Sequence, residues 1–470
     1  MQALMNSLAF TRGLAVIALL ATGCSDDPSG PSSDPDEKGT QEVAPEIVTW
    51  LQTNGESFST PQAGNGFADL QFLRDMIGDA KVVALGEATH GTREFFLMKH
   101  RILEFLVQEM GFNLFAIEAS WPEANRLNEY VHTGVGDPAI LLSGLYFWTW
   151  NTQEVLDMVQ WMRAHNENPG GAPLVSFLGF DMQFPGMAIH NVIQYLTAVD
   201  PPAAAGASDQ YSCMSRYANG PDGASPGQSR YRDQPQGYRD SCLQELTAVR
   251  DALLAHQDAY VAASSPTAFA TADRSARVVL QFEDMESERT RGARDEFMAE
   301  NAIWLHEQGE SDSRIVLWAH NGHVADNPTY AGGSSMGWHL RRHYGDDLVI
   351  AGFDFYQGGF RAVTRTGTGG YSGVNNHTVG PAPVGSYEYY FHSAGMERMV
   401  LDTRNVDMGT ASTSWLAGPW LMRSIGAVFT PTNPGAYLYQ VSIPSRYDLV
   451  IYFGNTSAAV GLPFNPPSQW

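Results

Sequence analysis

The sequence predicts an α/β protein with a mostly parallel central sheet, flanked by helices and extended by a helical insertion at about residues 243–309. Short, largely apolar runs alternate with longer amphipathic segments from residue 45 onward. Apolar residues form 43% of the 470-residue chain, which is enough for a sizeable core and excludes a fibrous or largely disordered protein.

Five apolar runs are typical of parallel strands, because such strands are covered on both faces and show little alternation of polar and apolar residues. They cover residues 81–86, 113–119, 174–180, 314–319 and 347–353. Helical segments follow the first two runs. In residues 93–109, Phe95, Met98, Ile102 and Leu106 recur at spacings of three and four, and residues 153–165 show the same period. The alternation favours a sheet with crossover helices.

Two insertions interrupt this domain, which we expect to occupy residues 45–470. Residues 243–309 have a helical pattern throughout, which predicts two long helices. Residues 200–242 are polar, rich in Gly and Pro, and show little periodicity, so a loop insertion is expected there.

The N-terminus predicts export. An apolar run follows Arg12 and ends at Ala21-Thr22-Gly23-Cys24, which is typical of a signal peptide over residues 1–23. The ending resembles a bacterial lipobox, which implies that Cys24 is acylated; an unmodified Cys24 after an ordinary signal peptide is the alternative. Residues 24–44 predict a flexible acidic tether. Ser25 after the cysteine favours the outer membrane, with the protein on its periplasmic or outer surface.

Cys213 and Cys242 are the two cysteines that remain in this exported chain, and a disulfide between them is expected in an oxidising compartment. Two unrelated buried thiols are the alternative. The net charge of −23 makes a nucleic acid an unfavourable partner, because an acidic surface repels phosphates. Oligomeric state does not follow from the sequence.

Ionisable residues stand at the end of, or just beyond, all five predicted strands. They are Glu87 and His90, Glu118, Asp181, His320 and His323, and Asp354. Since ligands bind beyond the carboxyl ends of parallel strands, these groups predict an active site at one edge of the sheet. Capping and hydration of the loops are the alternative. We expect the two histidines at 320 and 323 to lie on a loop.

The helix after His90 carries two further charges. Glu94 and Arg101 are seven residues apart, which places them on nearly the same face of a helix, among apolar neighbours. They either point at the site or form a surface ion pair. Trp121, Trp148 and Trp150 are candidates for the wall of a substrate pocket, with a role in the core as the alternative.

The sequence also contains residues that could indicate a metal site or a serine nucleophile. The histidines and glutamates would suit zinc or manganese, although no H-E-x-x-H pattern is present, and a metal-dependent hydrolase is therefore an alternative. The pattern G-x-S-x-G occurs at Ser225 and Ser335, but no apolar strand precedes either serine, so a serine nucleophile is not supported.

Residues 83–95, with the sequence VALGEATHGTREF, resemble the signature of the erythromycin esterase family. The resemblance continues at residues 115–119, 179–183, 294–301 and 318–323 and covers roughly residues 65–455. It implies an α/β core with a helical insertion, and hydrolysis of a macrolide lactone ester without a cofactor or metal. It also implies His90 as general base, supported by Glu87, Arg101 and Glu118, with His320 and His323 as a second histidine pair. The leader and the segment at 200–242 depart from the family pattern.

Ester hydrolysis fits these residue types. A histidine can deprotonate water near neutral pH, and a carboxylate can fix its tautomer. The expected function is cleavage of a small-molecule carboxylic ester by His-activated water. A non-catalytic surface lipoprotein that binds a glycan or lipid is the second hypothesis.

Overall fold

The computed structural model describes residues 42–215, 217, 230–367 and 369–464. The helices are α1 (Pro45–Asn54), α2 (Phe72–Ile77), α3 (Arg93–Met110), α4 (Trp121–Thr133), α5 (Pro138–Ser143), α6 (Gln153–Glu167), α7 (Gly186–Val199), α8 (Pro201–Ser215), α9 (Gln236–Ala255), α10 (Gln257–Ala263), α11 (Pro266–Ser287), α12 (Ala293–Glu307), α13 (Asn321–Val324), α14 (Met336–Tyr344) and α15 (Tyr387–Ser393). The strands are β1 (Gly55–Ser57), β2 (Val82–Leu85), β3 (Leu114–Ser120), β4 (Ser176–Asp181), β5 (Ile315–Trp318), β6 (Leu348–Arg365), β7 (Tyr371–Val379), β8 (Arg398–Asp402), β9 (Trp420–Arg423), β10 (Val428–Phe429), β11 (Leu438–Val441) and β12 (Leu449–Thr456).

The central sheet confirms the predicted α/β class. Its order is β1-β8-β12-β6-β2-β5-β3-β4, and β7 and β10 pair with the far end of β6. The strands from β12 to β4 run parallel, whereas β8 and β1 add an antiparallel edge. All five predicted strands are present, and β6 continues for twelve residues beyond its predicted end.

Both faces of the sheet are covered, as the continuous apolar runs require. In β2, Val82 and Ala84 pack into one core, with α7 to α12. Val83 and Leu85 pack into the opposite core, with α2, α3 and α6. The loops that follow the parallel strands therefore emerge between two helical layers.

The two predicted insertions differ from the structure. Residues 236–307 form four helices, α9 to α12, instead of two long ones. The predicted loop at 200–242 contains α8 and the first turns of α9. The three successive alanines at 203–205 favour a helix, although they give no spacing of large apolar residues that would mark one. Residues 216 and 218–229 lie outside the described part of the chain.

A disulfide joins Cys213 of α8 to Cys242 of α9, with Cα atoms 5.7 Å apart. The predicted signal peptide, Cys24 and the tether up to residue 41 lie outside the described residues. Among the helices that are described, none has the length and apolar character needed to cross a bilayer.

Candidate active site

The Glu87 carboxylate lies in the loop after β2 and is fully buried. Its Oε1 is 2.7 Å from Nδ1 of His90. Its Oε2 accepts hydrogen bonds from Lys99 Nζ at 2.6 Å and from Trp318 Nε1 at 2.7 Å. Three neighbours therefore fix the carboxylate, and it in turn fixes the orientation of the His90 ring.

The outer edge of His90 faces away from Glu87. Its side chain is 11% exposed, and its Nε2 makes no hydrogen bond with the residues that the structure describes. The rings of Trp150 and His320 lie beside it, at centroid distances of 6.0 and 5.0 Å. The exposed Nε2 is thus the atom of this ring that a water or a substrate can reach.

Two glycines allow the loop to take this path. A Cβ at Gly86 would come within 2.2 Å of Oδ1 of Asn321, and a Cβ at Gly91 within 2.3 Å of the carbonyl oxygen of Arg361. Asn321 also binds the backbone of Phe353 on β6 through both its amide nitrogen and its oxygen. The His90 loop is therefore packed tightly between α13 and β6.

Lys99, on α3, is the cation of this cluster. It is almost fully buried, and its Nζ lies 4.3 Å from the centroid of the Trp318 ring. Burial lowers the pKa of Lys99 to about 8, although the charge of Glu87 opposes that shift. The ion pair with Glu87 therefore weakens as the pH rises through 8.

Arg294, in the first turn of α12, organises a second cluster. Its Nη2 donates to Oε1 of Glu118 at 2.8 Å and to Oδ2 of Asp181 at 2.7 Å. Its Nη1 lies 3.1 Å from Nε2 of His323, and Nδ1 of that histidine lies 2.8 Å from Oδ1 of Asp295. One guanidinium thus holds carboxylates from β3 and β4, and His323 connects it to a third carboxylate on α12.

The charges in this cluster support one another. Burial alone would raise the pKa of Glu118, but His323, Arg294 and His90 hold it well below its usual range. Burial opposes protonation of His323, yet Asp295 and Glu118 outweigh it and raise the pKa of that ring. Glu118 is therefore an ionised carboxylate at neutral pH.

His320 connects the two clusters. Its backbone N–H donates to Oε2 of Glu118 at 3.0 Å, and its Nδ1 accepts from the backbone N–H of Gly322 at 3.2 Å. Burial, with the neighbouring His90 and His323, lowers the pKa of His320 well below 6.5. The ring is therefore neutral with its proton on Nε2, a buried atom on the side of the ring that meets the backbone of Ile425.

The expected loop at residues 320–323 is a short helix instead. His320 is the N-cap of α13, and Asn321 and His323 lie in its single turn. The reason is local, since the Nδ1 of His320 satisfies a free N–H of that turn.

Arg101 and Glu94 do not face the site. Arg101 donates to the carbonyl oxygens of Thr60 and Gly66 and pairs with Asp69, so it anchors the segment before β2. Glu94 accepts from the backbone and hydroxyl of Ser457. The helix presents Lys99 to Glu87, and two residues further is about 200° around the helix, which places Arg101 away from it.

Of the three tryptophans, only Trp150 contacts a histidine of the site. Its Nε1 donates to the carbonyl oxygen of Glu118 at 2.9 Å. Trp121 packs edge-on against Trp304 in the core, as the alternative interpretation expected. Trp148 is 5% exposed and lies near Arg361.

Asp354 is not at a strand end. It lies within β6, beside Tyr452 of β12, and burial together with Glu388 raises its pKa well above the usual range. The apolar run in the sequence stops before this acidic residue, which is why the strand was expected to end there. A neutral carboxyl can nevertheless lie inside a sheet.

Four residues of the site were not predicted as such: Lys99, Arg294, Asp295 and Trp318. The sequence does contain a signal for these positions: Lys99 is a charged residue within an apolar helical stripe, and the pair Arg294 and Asp295 opens α12.

Within the described residues, no three His, Cys, Asp or Glu side chains are arranged to hold a metal ion.

Comparisons with known proteins identify related sequences. The model of the erythromycin esterase family matches residues 107–456, a range that includes Glu118, Arg294 and both residues of the 320–323 histidine pair. Erythromycin esterase type II of Escherichia coli is 25% identical over 383 residues, which cover 76% of this chain and 88% of that protein.

Solved structures share the fold. A protein from Bacillus cereus has a TM-score of 0.76 at 25% identity and covers 89% of this chain and 99% of its own. A mutant of the erythromycin esterase EreC, in its open conformation, has a TM-score of 0.65 at 16% identity and covers 85% and 96%. The two together place the central sheet and its flanking helices among known architectures.

Proposed function

Because this chain belongs to the erythromycin esterase family, we propose that it hydrolyses a carboxylic ester with a water molecule activated by His90. The observation that carries the proposal is the pair formed by Glu87 and His90, in which a fixed carboxylate holds Nδ1 while Nε2 stays accessible. This is the arrangement that a histidine base requires.

In the first step, Nε2 of His90 takes a proton from water, and the oxygen of that water attacks the ester carbonyl. Glu87 stabilises the imidazolium that forms, since its carboxylate accepts the hydrogen bond from Nδ1. Lys99 and Trp318 hold this carboxylate in place through their hydrogen bonds to its Oε2.

The negative charge on the carbonyl oxygen needs a preorganised donor. His320 fits this role, because its ring is neutral, its Nε2 carries the proton, and its centroid lies 5.0 Å from that of His90. When the tetrahedral intermediate collapses, the bond to the alcohol oxygen breaks and the His90 imidazolium returns its proton to the leaving group. The products are a carboxylic acid and an alcohol.

Arg294 supports the site without contacting the reaction. Its guanidinium is occupied by Glu118, Asp181 and His323. It therefore fixes Glu118, which orients the backbone of His320.

The substrate class is a small-molecule ester, and macrolide lactones are one member of that class. The resemblance of the sequence to esterases of macrolides supports it. The test is mass spectrometry of a macrolide and a panel of simple esters after incubation with the protein. The macrolide should give one ring-opened product heavier by one water, and each simple ester should give its carboxylic acid and its alcohol. Both reactions should be far slower with His90→Asn than with wild type. Turnover that a chelator abolishes and zinc or manganese restores would favour the metal-dependent alternative. If no ester is hydrolysed, the non-catalytic alternative takes the place of the proposal.

We also propose that the protein is exported and anchored by an acylated Cys24 to the outer membrane. The leader sequence supports this, and a disulfide at Cys213–Cys242 suits an oxidising compartment.

A further inference from the structure

Arg361 lies directly beside the catalytic loop. Its backbone N–H donates to the carbonyl oxygen of Gly91 at 3.0 Å, one residue after His90. A side chain at Gly91 would collide with the Arg361 backbone, so the two segments are in contact. The side chain of Arg361 therefore starts from a point fixed relative to the base.

The guanidinium of Arg361 has no hydrogen bond or ion pair with the residues that the structure describes, and its Nη1 is buried. It lies 5.7 Å from the centroid of the Trp148 ring. A Cβ at Gly461 would come within 2.3 Å of its Nη2, so the guanidinium packs on that glycine. The guanidinium is thus held by packing, and none of its donors bonds to a described residue.

Trp148 offers a second unused donor. The residue is 5% exposed, and its Nε1 is buried without a hydrogen-bond partner in the described part of the chain. It stands two residues before Trp150, whose ring contacts that of His90. Buried donors are almost always paired. Two unpaired ones, on an indole and a guanidinium whose ring centroid and central carbon are 5.7 Å apart, therefore favour an acceptor that comes from a ligand.

The charge of Arg361 is not neutralised by a direct partner. Glu154 is the carboxylate whose field reaches it, but that carboxylate already faces Arg93 at 3.2 Å and the backbone N–H of Val460. Arg361 is partly buried, with its Nη1 withdrawn from solvent, and no carboxylate among the described residues pairs with it directly. Partial burial without a partner favours a binding role for this arginine over a purely structural one.

We propose that Arg361 and Trp148 form a subsite that binds a carboxylate group of the substrate, beside the ester that His90 cleaves. The proposal rests on the proposed function and narrows it to esters that carry an acidic group. A guanidinium prefers carboxylates because its planar donors match their two oxygens, and the indole N–H adds a further donor.

Binding can be tested without turnover. The His90→Asn protein is titrated with monomethyl glutarate, an ester acid, and with dimethyl glutarate, its neutral analogue, and the dissociation constants are measured by NMR. The ester acid should bind at least about tenfold more tightly. Equal affinities for both compounds would overturn the subsite.

Variants of the subsite separate charge from structure. Arg361→Met should weaken binding of the ester acid roughly 10–100-fold, and Trp148→Phe roughly 3–10-fold, because a charged donor contributes more than a neutral one. Gly461→Ala keeps the arginine but displaces its guanidinium, so it should weaken binding even if Arg361→Met does not fold. Arg74→Met, which removes an arginine paired with Glu109 at the surface, is the control and should change nothing.

The two proposals fail differently. If wild type hydrolyses neutral and acidic esters equally well and Arg361→Met leaves that ratio unchanged, the subsite is wrong and the esterase stands. If the ester acid binds through Arg361 but no ester is cleaved, the hydrolase is wrong and the subsite stands.

Discussion

The side chains of the site come from the ends of parallel strands and from helices α3 and α12. Glu118 lies near the end of an apolar run, Glu87, His90, His320 and His323 follow such runs, and the structure places these five residues together. Lys99 comes from within a helix, where only the three-dimensional path of α3 shows that it faces Glu87 and that Arg101 does not.

The base itself gives the first prediction. His90→Asn should lower turnover of a confirmed ester by ~10²–10⁴-fold, the contribution of a general base. The fold should survive, since the ring sits at the outer edge of a strand-end loop. Steady-state kinetics measure the loss, and thermal unfolding of the same variant controls for stability. If His90→Asn keeps nearly the turnover of wild type, His90 is not the base, and His320 or His323 becomes the candidate.

Lys99 gives the second prediction. Lys99→Met leaves Glu87 without its cation, and turnover should fall roughly 10–100-fold, as expected for loss of a charged hydrogen bond. Wild type should also lose activity above pH 8, where Lys99 gives up its proton. The pH profile of Lys99→Met should lack that alkaline limb. Trp318→Phe removes a neutral donor to the same carboxylate and should keep the limb; if Lys99→Met also keeps it, another group titrates there.

At the scale of elements, period and composition located the parallel strands and α3, because burial on both faces leaves a clear signal in sequence. Period and composition did not distinguish α12 from the three helices before it, because all four have similar apolar spacing. Only the packing shows that α12 brings Arg294 and Asp295 to the sheet.

Helix α3 also carries a buried histidine with consequences for stability. Burial lowers the pKa of His100 to about 4, against 6.5 in an unfolded chain. Between these values the unfolded state binds more protons, so stability is present above pH 6.5 and is lost as the pH falls toward 4. This one group should cost about 3 kcal/mol by pH 4.

Replacing His100 isolates that effect. His100→Phe keeps a ring beside Trp161 and removes the titration. The free energy of unfolding, measured by urea denaturation from pH 7 to 4, should decline less steeply than in wild type. Glu104, which lies 3.8 Å away, is present in both proteins, so the difference between the two curves reports on the histidine. Parallel curves would contradict the burial argument.

For the molecule as a whole, the disulfide should stabilise the α8–α9 region. Its two cysteines are 29 residues apart in sequence. Closing a loop of that size removes unfolded-state entropy worth roughly 3–4 kcal/mol. The double variant Cys213→Ala, Cys242→Ala should unfold at lower denaturant, and wild type kept in a reductant should behave in the same way. Identical midpoints with and without reductant would mean that the bond contributes nothing.

The whole chain also yields a prediction about its location. Cys24→Ser should release the protein from membranes and remove the acyl mass from its N-terminus. Fractionation measures the release, and mass spectrometry measures the acyl mass. If the Cys24→Ser variant stays with the membranes and the wild-type protein carries no acyl mass, the anchor is contradicted. This part rests on sequence alone, because residues 1–41 lie outside the described chain.

Arg361 joins the base loop through its backbone and the proposed subsite through its side chain, and that double attachment has a consequence for selectivity. Arg361 makes both contacts, so we expect the distance between His90 and the guanidinium to be nearly constant. Among dicarboxylic half-esters of increasing chain length, hydrolysis should peak at one length and fall on both sides of it. An enzyme with the proposed subsite would select its substrates by the spacing between the ester and the acidic group.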